Sequence, residues 1–196
     1  MKFSNLPTTP WPSSRPDVPT VTTPHWFGEG HERCFRKLIP QKMQLYVELG
    51  SWLGNSAGFV LRNWPQADVI AVDHFKGSAE HQGPEYAFLP QLYEHFCQNL
   101  WEYRNRLHVL RMDTATALFA LRSAQIRPDV LFIDAAHDTF SVFEDVFASV
   151  LFFPDSFIFG DDWLWDTVRE GVQRVVKRLP LEAHSEGNVW WLTKTN

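Results

Sequence analysis

The sequence predicts an α/β fold: a doubly wound, mostly parallel sheet of seven strands, completed by an antiparallel C-terminal hairpin. Three observations predict it. Short apolar runs alternate with segments whose apolar residues recur at helical spacing, the pattern of repeated strand–helix units. The run Val130-Leu131-Phe132-Ile133 carries no polar residue at all, as expected of a strand covered on both faces. The runs end in carboxylates, which places acidic groups together at one edge of the sheet.

Taken in order, residues 1–28 are crowded with Pro, Thr and Ser and read as an arm or lid ahead of a domain over 29–196. Trp11, Trp26 and Phe27 suit docking on the body or on a partner subunit, so the arm is where a homo-oligomer would form. A short helix is expected over 29–38, before Pro40. The first strand, Leu45-Tyr46-Val47-Glu48-Leu49, breaks into the turn Gly50-Ser51-Trp52-Leu53-Gly54 and a helix opening at Ser56. Glycine at 50 lets the backbone take unusual angles and a ligand come close, and Gly54 permits tight packing of the helix. The second strand covers 68–73, followed by an irregular loop and a helix over 86–103 on the spacing of Phe88, Leu92, Phe96 and Leu100. A third strand is Leu107–Leu110 with a helix at Thr114–Ser123, and the fourth strand, 129–134, leads to a helix over 140–149. The fifth strand, 156–160, precedes a helix over 167–179 that stops before Pro180, and 181–185 with 188–193 form the hairpin around Glu186-Gly187.

Bulk properties narrow the function. At 196 residues the chain holds one sizeable core, and 44% hydrophobic with 21% charged residues is a globular composition. A net charge of -5 argues against nucleic acid and for a small-molecule partner. Cys34 and Cys97 are far apart and without metal-type spacing, which suits a reducing compartment. The first residues lack a signal-peptide core and no apolar run nears the roughly 20 residues of a membrane helix, so a cytoplasmic protein without membrane contact is expected.

Ligands of such sheets bind beyond the C-terminal strand ends. Glu48, Asp73, Asp113, Asp134, Asp161 and Asp162 all fall there. The helix start after the first strand favours an anionic group. Glu48 disfavours a pyrophosphate, however, and the turn lacks the Gly-x-Gly-x-x-Gly of dinucleotide enzymes. A ligand carrying both a cation, amino or sulfonium, and a carboxylate fits better.

Val47-Glu48-Leu49-Gly50-Ser51-Trp52-Leu53-Gly54 resembles the first motif of class I S-adenosylmethionine-dependent methyltransferases, in the small-molecule branch with sugar and macrolide O-methyltransferases. Phe132-Ile133-Asp134-Ala135-Ala136-His137-Asp138 and Phe159-Gly160-Asp161-Asp162-Trp163 resemble its fourth- and fifth-strand motifs, and the similarity spans about 43–194. The resemblance implies a Rossmann-like sheet and S-adenosylmethionine as cofactor. It places Gly50 and Ser51 against the methionine part with Glu48 near its amino group, Asp73 at the ribose hydroxyls, Asp113 with Thr114 at the adenine edge, and Trp52, Ser56 and His74 among the cofactor-binding residues. Asp134, which also faces the cofactor, joins Asp161 and Asp162 at positions that hold a divalent cation in the metal-dependent members, and three oxygen ligands suit Mg²⁺. The cation would orient and acidify a hydroxyl of the acceptor, with His137 taking the proton beside Asp134. The loop His74-Phe75-Lys76-Gly77, with His81 beyond, departs from the branch's Asp-Thr-Trp-x-Gly-Asp-x-His, since His74, Phe75 and Ser78 or Ala79 replace Thr, Trp and the second Asp. The implied reaction is O-methylation of a hydroxyl on a small acceptor, glycosides among the candidates. The alternatives are a cofactor-binding module without catalysis, acting as scaffold or partner, and a nucleotide-sugar or dinucleotide enzyme.

Overall fold

A computed structural model of the chain describes residues 3–21, 26–78, 80–81 and 83–195. Its order of elements is α1 (Glu29–Leu38), β1 (Leu45–Leu49), α2 (Asn55–Asn63), β2 (Asp68–Val72), α3 (Leu92–Asn99), β3 (Leu107–Leu110), α4 (Thr114–Ser123), β4 (Val130–Ile133), α5 (Thr139–Phe152), β5 (Phe157–Gly160), α6 (Asp166–Val176), β6 (Leu181–Glu186) and β7 (Val189–Lys194). The seven strands form one sheet in the order β3-β2-β1-β4-β5-β7-β6. The first five are parallel, and β7 runs antiparallel between β5 and β6. The predicted α/β class holds, with the antiparallel strand inside the sheet and its hairpin partner at the edge.

Alternate residues of each strand feed two cores. Tyr46, Phe132 and Phe159 pack with Phe35 of α1, Phe59 of α2 and Phe96 of α3. Val47, Leu49, Leu131 and Ile133 pack on the other face with α4, α5 and α6. Because both faces are covered, β1 is buried along its whole length, including Glu48. The chain moves outward from β1 to β3, then returns to β4 on the other side of β1, and that reversal opens a crevice between the ends of β1 and β4.

The helix expected over 86–103 is broken. Pro84 and Pro90 lack a backbone N–H and each stands at the start of a single 3₁₀ turn, Pro84–Tyr86 and Leu89–Gln91; the α-helix starts only at Leu92, and a third such turn follows at Trp101–Tyr103. The N-terminal segment runs along the free edge of the sheet. Thr9 bridges Val109 of β3, the Trp11 indole donates to the Leu107 carbonyl at 3.1 Å, and Phe3 and Leu6 are buried in the second core. An exposed strand edge invites pairing with other chains, and this segment covers it. No helix among the described residues is long and apolar enough to cross a membrane.

Candidate active site

A cavity of about 680 Å³ lies over the ends of β1, β2, β4 and β5. Its floor is the turn after β1. Gly50 has φ +86°, and a Cβ there would lie 1.8 Å from the Asp134 carbonyl oxygen, so glycine is required by the close approach of the β4 end. Gly54, at φ +84°, would drive a Cβ to 2.5 Å from Leu100. Both glycines are thus explained by the chain's own packing. Between them Trp52 stands at φ +48°, a conformation that a large side chain holds only under constraint.

That constraint comes from Asp73. One carboxylate oxygen accepts the backbone N–H groups of Ser51 at 3.0 Å and Trp52 at 2.9 Å, and the other accepts Phe75 N–H at 2.6 Å. The turn's N–H groups therefore face a carboxylate of the protein, while the first turn of α2, where an anion is expected, has no side-chain cap. Glu48 does not line the cavity. It is 0% exposed beneath the turn, where its Oε2 accepts the Ser56 hydroxyl at 2.9 Å and its Oε1 is buried without a partner. Burial pushes its carboxyl up to about 8, against the opposing Ser51, Ser56 and Tyr46 hydroxyls, so Glu48 is mostly protonated at neutral pH. Its expected repulsion of a pyrophosphate is correspondingly weak.

Ser51, Trp52, Ser56, Asp73, His74 and Gly50 all line this half of the cavity. Asp113 and Thr114 line its far side, where each also has a structural task. Asp113 caps α4 by accepting Thr116 N–H, which holds its carboxyl below the usual range. Thr114 donates to the buried Asp145 at 2.6 Å.

The other half is acidic. Candidate ligand atoms of Asp134, His137 and Asp162 lie within 4.8 Å of one another. His137 is held on both sides, Nδ1 at 2.5 Å from Glu80 Oε1 and Nε2 at 2.9 Å from Asp162 Oδ2. The hydrogen bond to Asp162, helped by Glu80 and opposed by burial, raises its pKa to about 9. At neutral pH the imidazole therefore holds a proton, and the base expected from the sequence is a cation in this arrangement. Burial pushes the Asp162 carboxyl up, but His137 and a hydrogen bond donated by Asn188 Nδ2 at 3.0 Å outweigh it and hold the group below the usual carboxylate range. Asp162 itself has φ +61°. Burial and the charges of Asp161 and Asp162 drive Asp134 well above the usual carboxylate range.

Asp161, expected beside Asp134 and Asp162, lines the same cavity but gives one oxygen to α1. Its Oδ2 lies 2.9 Å from Nε2 of His31 in α1, whose Nδ1 accepts Gly28 N–H, and its Oδ1 is buried without a partner. Sequence reasoning missed His31 and Asn188, which sit in no motif, and Glu80, which lies within the loop from His74 to His81. It also left His81 and Tyr86 without a role. Trp52 and His81 are 4.3 Å apart between ring centres, Trp26 stacks on His81 at 5.7 Å, and Tyr86 closes on His81 at 5.0 Å, which gives the cavity an aromatic wall.

A family model described as a methyltransferase domain matches residues 47–163, from within β1 to just past Asp162. The chain belongs to that methyltransferase family. With its sheet order and the β1 turn, it is a class I S-adenosylmethionine-dependent methyltransferase. No curated protein matches the sequence. Among solved structures, this methyltransferase is similar to a methyltransferase from Geobacter sulfurreducens at 18% identity and TM-score 0.59, over 86% of this chain and 80% of that one. It resembles CalS11, a TDP-rhamnose 3'-O-methyltransferase of calicheamicin biosynthesis, at 15% identity and TM-score 0.53, over 83% and 76%. It also resembles the Methanococcus jannaschii fibrillarin pre-rRNA processing protein at 11% identity and TM-score 0.56, over 79% and 67%. Likeness at these identities is likeness of fold.

Proposed function

We propose that this methyltransferase moves the methyl group of S-adenosylmethionine to a hydroxyl of a small acceptor, with a divalent cation at the acidic end of the cavity. The observation that carries the reading is the union of two unlike halves in one cavity of about 680 Å³, a volume within the roughly 300–1,000 Å³ of small-molecule sites.

On the cofactor side, Ser51, Ser56, Asp73 and His74 line the cavity beside the N-terminus of α2, so this half presents polar groups to a ligand. Those groups suit the amino and carboxylate groups of a methionine moiety. Asp73 holds the turn in place and remains the acceptor for the ribose, while Asp113 and Thr114 border the adenine end.

On the acceptor side the donor set fits a cation: two carboxylates and an imidazole converge, and Asp161 keeps a buried oxygen without a partner beside them. When bound, the cation would lower the pKa of an acceptor hydroxyl and orient it. Trp26, Trp52 and Tyr86 wall off water and present ring faces to the acceptor. His137, already holding a proton between Glu80 and Asp162, organises this end and is not assigned the proton abstraction. An RNA acceptor, as the fibrillarin likeness could suggest, is disfavoured by the net charge of -5 and by Glu80, Asp134, Asp161 and Asp162 around the cavity.

The test is incubation with methyl-labelled S-adenosylmethionine and a panel of small alcohols, phenols, glycosides and amines. Label on acceptor oxygen is the expected outcome. Label only on nitrogen would contradict the hydroxyl assignment, and cofactor binding with no transfer to any acceptor would favour a scaffold.

A further inference from the structure

We propose that Asp134, His137 and Asp162 form a metal site with a nitrogen ligand, backed by Glu80, that takes a first-row transition ion such as Mn²⁺, Fe²⁺ or Co²⁺ in preference to Mg²⁺. The inference deepens the proposed function and rests on it for what the ion would do.

Three observations carry it. The first is spacing. Two donors at right angles on one ion, each about 2.1 Å from it, are about 3 Å apart. His137 Nε2 and Asp162 Oδ2 are 2.9 Å apart, and one ligand atom from each of Asp134, His137 and Asp162 lies within 4.8 Å of the other two. Metal binding displaces the proton that Nε2 gives to Asp162, and small movements of the side chains then bring all three onto one ion.

The second is the partner behind the ring. A histidine that binds metal through one nitrogen nearly always gives its other N–H to a carboxylate, carbonyl or water, which fixes the tautomer and the ring plane. Glu80 Oε1 stands 2.5 Å from Nδ1 of His137 and leaves Nε2 facing Asp162. The Trp165 ring, 4.6 Å from the imidazole, packs against its face. The third is Asp161. It is only 9% exposed, lines the same cavity, and keeps Oδ1 buried and unpaired while His31 occupies Oδ2. A buried carboxylate oxygen with no protein partner is costly unless something else completes it.

The choice of ion follows from the donors. Mg²⁺ favours oxygen ligands and near-ideal octahedral geometry, whereas imidazole suits transition ions. An all-aspartate set would be neutral on this point or favour Mg²⁺. Replacing Asp161 by His137, as the geometry does, shifts the preference.

The experiment uses the whole purified protein, stripped of metal, without cofactor. Mn²⁺ and Mg²⁺ are titrated separately by calorimetry, and the Mn²⁺-loaded protein is studied by pulsed electron paramagnetic resonance for coupling to ¹⁴N. Expected are binding of Mn²⁺ at least about tenfold tighter than Mg²⁺, nitrogen coupling in the loaded protein, loss of that coupling in His137→Ala, and weakening by roughly 10–100-fold in Glu80→Gln. Circular dichroism establishes that each variant is folded, and the coupling in the unaltered protein is a direct readout that needs no variant. Equal affinity for the two ions, bound Mn²⁺ without nitrogen coupling, or no binding of either ion overturns the proposal. Binding of S-adenosylhomocysteine, measured on the same sample, separates the two claims. A protein that binds it but shows no nitrogen coupling has lost only the metal assignment, while nitrogen-coupled Mn²⁺ without S-adenosylhomocysteine binding sinks the methyl-transfer reading alone.

Discussion

At Asp73 one carboxylate accepts three backbone N–H groups, two from the β1 turn and one from the loop that follows it. Bonds to a charged acceptor contribute about 1.5–3 kcal/mol each, and here they hold Trp52 at a positive φ. Asp73→Ala should weaken S-adenosylhomocysteine binding by roughly 10–100-fold in calorimetry while the circular dichroism spectrum is retained. Gly50 works differently, because an added Cβ meets a backbone oxygen that cannot turn aside. Gly50→Ala should cost roughly 2–5 kcal/mol in urea unfolding, and an unchanged midpoint would mean that the β1 and β4 ends are not in contact. Glu48 and His137 set a pH dependence. Glu48 ionises near 4.5 when unfolded and at about 8 when folded, so the unfolded chain sheds this proton first and stability falls as pH rises across that interval. His137 moves from 6.5 to about 9, so its contribution is complete below 6.5 and is lost as pH rises through about 9. Both have the same sign. The unliganded protein should melt at a lower temperature at pH 9 than at pH 6, and Glu48→Gln should flatten that slope.

Among the elements, the N-terminal segment stabilises β3 by closing its free edge. Trp11 contributes a hydrogen bond to Leu107 and an edge contact with Trp101 at 5.9 Å, so Trp11→Ala should lower stability by roughly 1–3 kcal/mol and promote concentration-dependent association seen by light scattering. A monodisperse, equally stable variant would show that the edge needs no cover. The strands were legible because strands buried on both faces leave unbroken apolar runs, and the carboxylates were legible because each stands directly after such a run. The helix over 86–103 was misread because Phe88 keeps helical spacing across Pro90, which the backbone cannot follow. The half of the site made by motif residues could be named from sequence: Ser51, Trp52, Asp73, Asp134, His137 and Asp162 all reach the cavity. The other half could not. His31 meets Asp161 and Glu80 meets His137 only through the folding together of distant segments, and no local pattern marks either partner. Glu48 shows the opposite case, a motif residue whose strand position is right but whose burial places it under the floor.

For the molecule as a whole, the sheet brings a polar turn and a cluster of carboxylates and imidazoles to opposite sides of one crevice. That division of labour is what the proposed transfer to a hydroxyl needs, since cofactor and acceptor must meet in line while water is kept out. The aromatic wall links the two sides: Trp52 belongs to the turn, Trp26 to the N-terminal segment, and His81 and Tyr86 to the loop between β2 and α3. The account stands or falls on cofactor recognition by this crevice. Calorimetric titration of the purified protein with S-adenosylhomocysteine tests it most directly: one molecule bound per chain, at an affinity reduced in Asp73→Ala, is the predicted result, and no heat of binding with a folded protein is the result that would contradict it.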